Sequence, residues 1–90
     1  MDADSCGDVS TYCTPQERAF LMEFGANVRR RRKALGMTQS ELAARIDRSI
    51  HLVGRLDRGK KWPALKTVIE VAIALQTDVR SLFPESQTVA

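Results

Sequence analysis

Two short helices joined by a tight turn are predicted between Thr38 and Gly59. Thr38 and Glu41 have the spacing of a capping box, in which each side chain accepts a hydrogen bond from the other residue's backbone amide. Ser49 can cap a second helix, so only about one residue near Asp47 is left outside helical geometry. Because the two helices are so close in the chain, the rest of the sequence has to pack around them as a unit.

The apolar residues of this stretch recur at helical spacings. Leu42 and Ile46 are four residues apart in the first helix, and Val53 and Leu56 are three apart in the second. Ala43 is small, which suits a position where two helices cross closely. This combination is the pattern of a helix-turn-helix.

Basic residues are concentrated around this pair of helices. The whole chain has a net charge of +3, but positions 29–61 contain eleven Lys and Arg and three acidic residues, a local charge of +8. Such a charge favours a polyanion, and nucleic acid is the polyanion that suits a helix-turn-helix. The alternative is that these charges are simply solvated. The eleven basic residues are Arg29, Arg30, Arg31, Arg32, Lys33, Arg45, Arg48, Arg55, Arg58, Lys60 and Lys61.

Length and composition limit the chain to one small domain. Of the 90 residues, positions 1–13 are predicted to be a flexible acidic tail, 14–84 a folded domain and 85–90 a second tail. No apolar run approaches the roughly 18 residues that cross a membrane, and positions 1–10 do not resemble a signal peptide. We therefore expect a cytoplasmic protein.

The cysteines and the histidine do not form a metal site in the sequence. Cys6 and Cys13 lie in the first tail, and two thiols alone cannot complete a structural zinc site. The single histidine, His51, has no cysteine or carboxylate four residues later. We expect no metal and no cofactor, and we expect reduced thiols, although an intermolecular disulfide is possible if the tail is exposed.

The other helices follow from capping signals and apolar spacing. Thr14 and Glu17 form a second capping box, which predicts a helix at 15–35. Apolar spacing predicts a helix at 63–76, and Asp78 can cap a short one through position 83. No period-two alternation predicts a strand, so the fold class is all-α with five helices. Val71 and Ile73 add flanking surface to the predicted apolar side of the fourth helix, which consists of Leu65, Val68, Ile69, Ala72 and Leu75.

The basic run from Arg29 to Lys33 is longer than one helical turn, so at least one of its arginines has to point inward. A buried guanidinium needs a carboxylate partner, because an unpaired buried charge is very costly.

From about position 23 to 83 the chain resembles the Cro/CI-type helix-turn-helix family of phage and bacterial repressors, also called the Xre family. The resemblance implies a compact, lambda-repressor-like domain that binds double-stranded DNA. It also implies a protein of the bacterial nucleoid or one that a phage encodes. It rests on RKALGMTQ at 32–39, ELA at 41–43, LDRG at 56–59, Pro63, AIAL at 72–75 and the closing Leu82-Phe83.

The resemblance implies roles for individual residues. The third helix enters the major groove, the start of the second helix and the loop after the third hold the DNA backbone, and an inward arginine pairs with an acid. The implied base contacts are Ser49, Ile50, His51 and Arg55. The implied backbone contacts are Thr38, Gln39, Arg58, Lys60 and Lys61, and the implied ion pair is Arg32 with Asp57.

Four positions depart from the family pattern. Asp47 stands where glycine is usual, and aspartate tolerates left-handed geometry. Arg48 replaces an apolar residue, so one core contact is expected to be lost or taken over by its aliphatic stem. Ile50 and Gly54 replace polar residues on the third helix. These two changes leave few residues to read bases, which predicts thymine-methyl contacts, shape readout or modest specificity.

The function that these features favour is a sequence-specific, repressor-like transcription regulator that binds a two-fold operator as a homodimer. Its predicted dimer residues are Val79, Leu82 and Phe83. The alternative is an antitoxin or adaptor that uses the same fold to bind a protein partner such as a toxin. An enzyme is disfavoured, because the sequence has no nucleophile beside a base and no Gly-rich phosphate loop.

Overall fold

The computed structural model describes residues 14–84, which form five helices. These are α1 (Pro15–Ala34), α2 (Gln39–Ile46), α3 (Ile50–Asp57), α4 (Leu65–Ala74) and α5 (Val79–Leu82). The all-α fold class predicted from the sequence is confirmed. The two predicted tails and both cysteines lie outside the described residues.

Three helices are shorter than predicted, because the backbone leaves helical geometry early. Leu35 is the C-cap of α1 and lies outside the helix. Ala64 is extended, so α4 begins after it and not at Pro63. Gln76 has a φ of +57°, which is left-handed geometry that a helix cannot continue through. Phe83 is extended, so α5 ends one residue before the predicted end.

Both predicted capping boxes are present. Thr14 Oγ1 accepts from the Glu17 amide at 3.1 Å, and Glu17 Oε1 accepts from the Thr14 amide at 2.9 Å. The corresponding distances between Thr38 and Glu41 are 3.1 and 2.7 Å. The hydrogen bond from the Thr38 backbone is the main reason that the pKa of Glu41 is lowered. These bonds fix where α1 and α2 begin.

The core lies where α1 crosses α3 and where α2 and α3 pack against each other, with α4 and α5 closing it. It is built mainly from leucine and valine, with one phenylalanine, one isoleucine, one methionine and two alanines. Removal of these apolar side chains from water is the main source of stability in a domain of this size. These residues include Phe24, Val28, Leu42, Leu52, Val53, Leu56, Val71, Leu75 and Leu82.

One side of α4 is apolar and exposed. Leu65, Ile69 and Ile73 are 69%, 43% and 71% exposed. Their spacing of four residues places them on one face, whereas Val68 and Val71 lie on the face that packs into the core. The prediction that Leu65 and Ile69 lie on the same side as the buried residues of α4 is therefore wrong. We call Leu65, Ile69 and Ile73 the α4 stripe.

A glycine permits a close crossing of α1 and α3. A Cβ atom built on Gly25 of α1 would lie 2.2 Å from the Leu56 carbonyl oxygen and 2.7 Å from that of Asp57. Only a residue without a side chain can sit there, so α1 lies directly against the last turn of α3. Gly54 of α3 differs, since its Cβ would meet only the Arg58 side chain at 3.4 Å and that of Gln39 at 3.9 Å.

These two glycines predict opposite effects of the same substitution. Gly25→Ala should destabilise the domain by about 2 kcal/mol or more, because rigid backbone has to move apart. Gly54→Ala should stabilise it by about 1 kcal/mol, the helix propensity difference between the two residues. Urea unfolding of both variants measures this difference, and a stable Gly25→Ala variant would contradict the close crossing.

Candidate nucleic-acid interface

The turn between α2 and α3 is formed by a left-handed aspartate and an arginine that has its own partners. Asp47 has φ 57° and ψ 48°, as its place in the turn predicts. The Arg48 guanidinium donates to the carbonyls of Ile46 and Asp47 at 3.2 and 3.3 Å. Its Nη2 also lies 3.0 Å from Glu70 Oε1 in α4. Polar contacts thus replace the apolar contact that is usual at position 48.

Glu70 holds this arrangement from α4. It accepts a hydrogen bond from Lys66 at 2.7 Å in addition to the ion pair with Arg48. The Lys66 hydrogen bond is the largest cause of the lowered pKa of Glu70, and the Arg48 charge adds to it. Glu70 is therefore ionised at neutral pH and ties the turn before α3 to α4.

α3 presents one face to solvent and buries the other. Ser49 Oγ accepts from the Leu52 amide at 3.2 Å, which fixes the start of the helix. The four residues expected to contact bases, Ser49, Ile50, His51 and Arg55, are all exposed. Leu52, Val53 and Leu56 are buried on the opposite face. The structure therefore brings the predicted base contacts together on one open surface.

The Arg32 side chain reaches the carboxylate at the end of α3. Its Nη2 lies 2.9 Å from Asp57 Oδ2, and its Nη1 donates to the Met37 carbonyl at 2.9 Å. Both charged residues are buried. The inward arginine and its acid are the two residues that the family resemblance implies.

Two neighbouring arginines bind helix ends and do not face solvent freely. Arg29 Nη1 donates to the Asp57 carbonyl at 2.9 Å, at the carboxyl end of α3. Arg31 donates to the Leu75 and Gln76 carbonyls at 2.9 and 3.0 Å, just after α4. These carbonyls have no partner inside their helices, so the arginines satisfy them. Much of the basic run thus has a structural role.

The start of α2 borders an open hollow. Gln39, the first residue of α2, is half-buried, and its Nε2 donates to Asp57 Oδ2 at 3.0 Å. The free amides at the start of a helix attract anions. The hollow has a volume of about 610 Å³ and is lined by Arg32, Lys33, Gly36, Met37, Thr38, Gln39, Ser40 and Ile50.

Besides the ion pair, one predicted backbone contact and one predicted dimer residue are buried. Thr38, Arg58 and Lys60 are exposed, but Lys61 is only 4% exposed, which contradicts a contact with the DNA backbone. Leu82 is 1% exposed because it packs into the core under α1 and α4, which contradicts a place in the dimer interface.

The other two predicted dimer residues, Val79 and Phe83, are half-buried at the edge of the core. Phe83 stacks at an angle on Phe20 and Phe24, with ring centroids 5.6 and 5.9 Å apart. Phe83 also borders an apolar hollow of about 210 Å³ together with Trp62 and Leu65.

Comparison with known proteins identifies the arrangement. The helix-turn-helix family HTH_3 matches residues 28–82, more than half of the chain. The chain belongs to this family. It is 33% identical to the restriction-modification controller protein C.AhdI from Aeromonas hydrophila, with a TM-score of 0.68, over 70% of this chain and 96% of that chain. It is 30% identical to the clp gene regulator ClgR from Corynebacterium glutamicum, with a TM-score of 0.66, over 68% of this chain and 78% of that chain.

Membership in the HTH_3 family and these neighbours support a DNA-binding regulator. The apo structure of HppE also has a TM-score of 0.68, but it is 21% identical, and the match covers 72% of this chain and 36% of that one. That likeness shows the fold alone. The curated proteins contain no match.

Neither a metal centre nor a membrane span is found within residues 14–84. No three His, Cys, Asp or Glu side chains of that region group to hold a metal ion. Each of its helices is too short or too polar to cross a membrane.

Asp57→Ala should destabilise the domain by about 3–5 kcal/mol, because it leaves the Arg32 guanidinium buried without a counter-charge. Thermal and urea unfolding measure the loss. Asp78→Ala is the matched control, since Asp78 is exposed and lies 4.0 Å from Arg80 at the surface. Equal stability of the two variants would show that the buried pair is unimportant.

Proposed function

We propose that the chain is a sequence-specific, repressor-like transcription regulator that places α3 in the major groove of DNA. The observation that carries this proposal is the open face of α3, where Ser49, Ile50, His51 and Arg55 are all exposed. A single helix fits the major groove, where each base pair has a distinct pattern of donors, acceptors and methyl groups.

The four side chains on this face suit different base edges. Arg55 can donate two hydrogen bonds to guanine, and His51 and Ser49 can each make one. Ile50 cannot donate a hydrogen bond, but it can pack on a thymine methyl group. Gly54 adds no contact and lies under the Gln39 and Arg58 side chains. The reading surface is therefore small, and DNA shape is expected to add to specificity.

Contacts with the DNA backbone would come from both sides of α3. Thr38 and Gln39 lie at the start of α2, where the helix dipole favours a phosphate. Arg58 and Lys60 are exposed after the end of α3. Lys61 is not part of this set because it is buried.

A homodimer is the assembly that we propose, with the α4 stripe as its centre. One module reads too few base pairs for selectivity, and two copies can place their α3 helices about 34 Å apart, one turn of DNA. Exposed leucine and isoleucine side chains at helical spacing suit a two-fold interface, in which the same patch meets itself. The adjacent hollow at Trp62 and Phe83 can receive a side chain of the other copy.

In-vitro selection of DNA sites tests the proposal. Arg55→Ala and His51→Ala should lower affinity by about 1–3 kcal/mol for the selected site and much less for random DNA. Lys60→Ala should weaken binding to both DNAs alike and make the salt dependence shallower by about one unit of slope. Equal losses on both DNAs for all three variants would contradict the proposed contacts.

Sedimentation of two matched variants tests the dimer surface. Ile69→Asp should give a monomer, because it places a charge in the α4 stripe. Ile50→Asp should leave the dimer intact while lowering DNA affinity, since Ile50 has a similar exposure but lies on α3. A dimeric Ile69→Asp variant would show that the copies meet elsewhere.

The α4 stripe also favours a second candidate, an antitoxin or adaptor that binds another protein. Within residues 14–84, Ile73 is the most exposed large apolar residue, at 71%. Salt distinguishes the candidates, because phosphate contacts make affinity fall steeply with salt, whereas burial of apolar surface does not. If the in-vitro selection yields no DNA site, the protein-binding function is favoured.

A further inference from the structure

We propose that Asp57 is a positioning residue for DNA binding: its carboxylate holds the Gln39 side chain so that one amide hydrogen remains for a DNA phosphate. The inference rests on the proposed function, because it specifies how the phosphate contact at the start of α2 is made. It assigns the buried acid a role beyond neutralising Arg32.

The hydrogen bonds at Asp57 converge on one oxygen atom. Oδ2 accepts from Arg32 Nη2 at 2.9 Å and from Gln39 Nε2 at 3.0 Å. The other oxygen, Oδ1, is buried and has no hydrogen-bond partner among residues 14–84. The same oxygen therefore binds α1 through Arg32 and α2 through Gln39.

The chemistry of the two groups fixes the orientation of the glutamine amide. An ionised carboxylate only accepts hydrogen bonds, so the nitrogen of Gln39, and not its oxygen, has to face Asp57. That nitrogen has two hydrogens, and the carboxylate takes one of them. The second is left for another acceptor. If the amide were reversed, its oxygen would face the carboxylate and would repel it.

The Gln39 side chain is also limited on its other side. Its Oε1 lies 3.9 Å from the place where a Cβ of Gly54 would be. The amide thus lies between Asp57 and the backbone of α3, at the edge of the hollow that includes Ile50. A DNA phosphate in that hollow would meet a donor beside the base-reading helix.

Asp57 is itself held by α1 at two points. Arg32 binds its carboxylate, and Arg29 donates to its backbone carbonyl at 2.9 Å. A free glutamine side chain has high rotamer entropy, which has to be lost on binding. Holding Gln39 in the free protein removes that cost from DNA binding and fixes the phosphate contact relative to α3.

The first experiment needs no DNA. Side-chain amide relaxation by NMR on the free protein should show Gln39 as ordered and Gln76, which is exposed, as mobile. In the Asp57→Asn variant, which keeps an acceptor oxygen, Gln39 should remain ordered. Gln39 as mobile as Gln76 in the wild-type protein would overturn the proposal.

The second experiment uses a selected DNA site with one neutral methylphosphonate placed in turn at each backbone position. Each substitution of a phosphate that the protein contacts should lower affinity, and we call this loss the penalty at that position. The position whose penalty disappears in the Gln39→Met variant is the phosphate that Gln39 contacts, which we call the Gln39 phosphate. In the wild-type protein the penalty there should be about ten-fold, as for one hydrogen bond to a charged group.

The decisive variant is Arg32→Met with Asp57→Leu, which replaces the whole buried pair by apolar residues and leaves no stranded charge. The ten-fold loss of affinity at the Gln39 phosphate should disappear. The loss at the Lys60 phosphate, assigned in the same way with Lys60→Ala, should stay unchanged. Asp57→Asn should retain both penalties. A penalty that persists at the Gln39 phosphate in the double variant would overturn the proposal.

Failure of the proposed function has a different outcome, in which the wild-type protein selects no DNA site at all. The NMR comparison of Gln39 with Gln76 then still tests whether the glutamine is held in the free protein. If the double variant does not fold, the NMR comparison alone carries the decision.

Discussion

The buried carboxylate of Asp57 connects three helices, since it ends α3 and accepts from Arg32 in α1 and Gln39 in α2. Apolar packing is not directional, so it holds helices together without fixing their rotation or register. A buried charge is different, because it has to meet its partners at hydrogen-bond distance or destabilise the fold. Gly25 allows this meeting, as any side chain there would push α1 away from the end of α3.

The basic residues of α1 serve the fold more than their charge suggests. A domain of short helices has many unpaired carbonyls at helix ends, and a guanidinium supplies several donors that can reach them. Arg29 and Arg31 bind such carbonyls after α3 and α4. The local charge of +8 between positions 29 and 61 therefore overstates the positive charge that is available to bind a polyanion. The exposed charges beside α3, such as Arg55, Arg58 and Lys60, are those that remain.

Local capping signals made the starts of α1, α2 and α3 predictable from the sequence, whereas the features that depend on tertiary contacts were not. Both capping boxes involve residues three apart, so their sequence spacing is sufficient. α4 is apolar on more than one face, and periodicity alone cannot show which face is inward, as Ile69 illustrates. α5 has four residues, too few for a period to place Leu82. Hydrogen bonds from arginine side chains to backbone carbonyls have no characteristic sequence spacing, so the sequence could not predict them. A glycine inside a helix, such as Gly25 in α1, is by contrast a visible sign that another element packs closely there.

α4 has three faces, and together they connect the proposed dimer surface with α3. Val68 and Val71 pack into the core, the α4 stripe faces solvent, and Glu70 on the flank holds Arg48 in the turn before α3. A helix that is apolar on opposite sides is normally covered on both. If a second copy covers the stripe, the two α3 helices are set relative to the two-fold axis by one rigid helix. The spacing of the half-sites on DNA would then follow from the packing of α4, since Glu70 of α4 is paired directly with Arg48 in the turn.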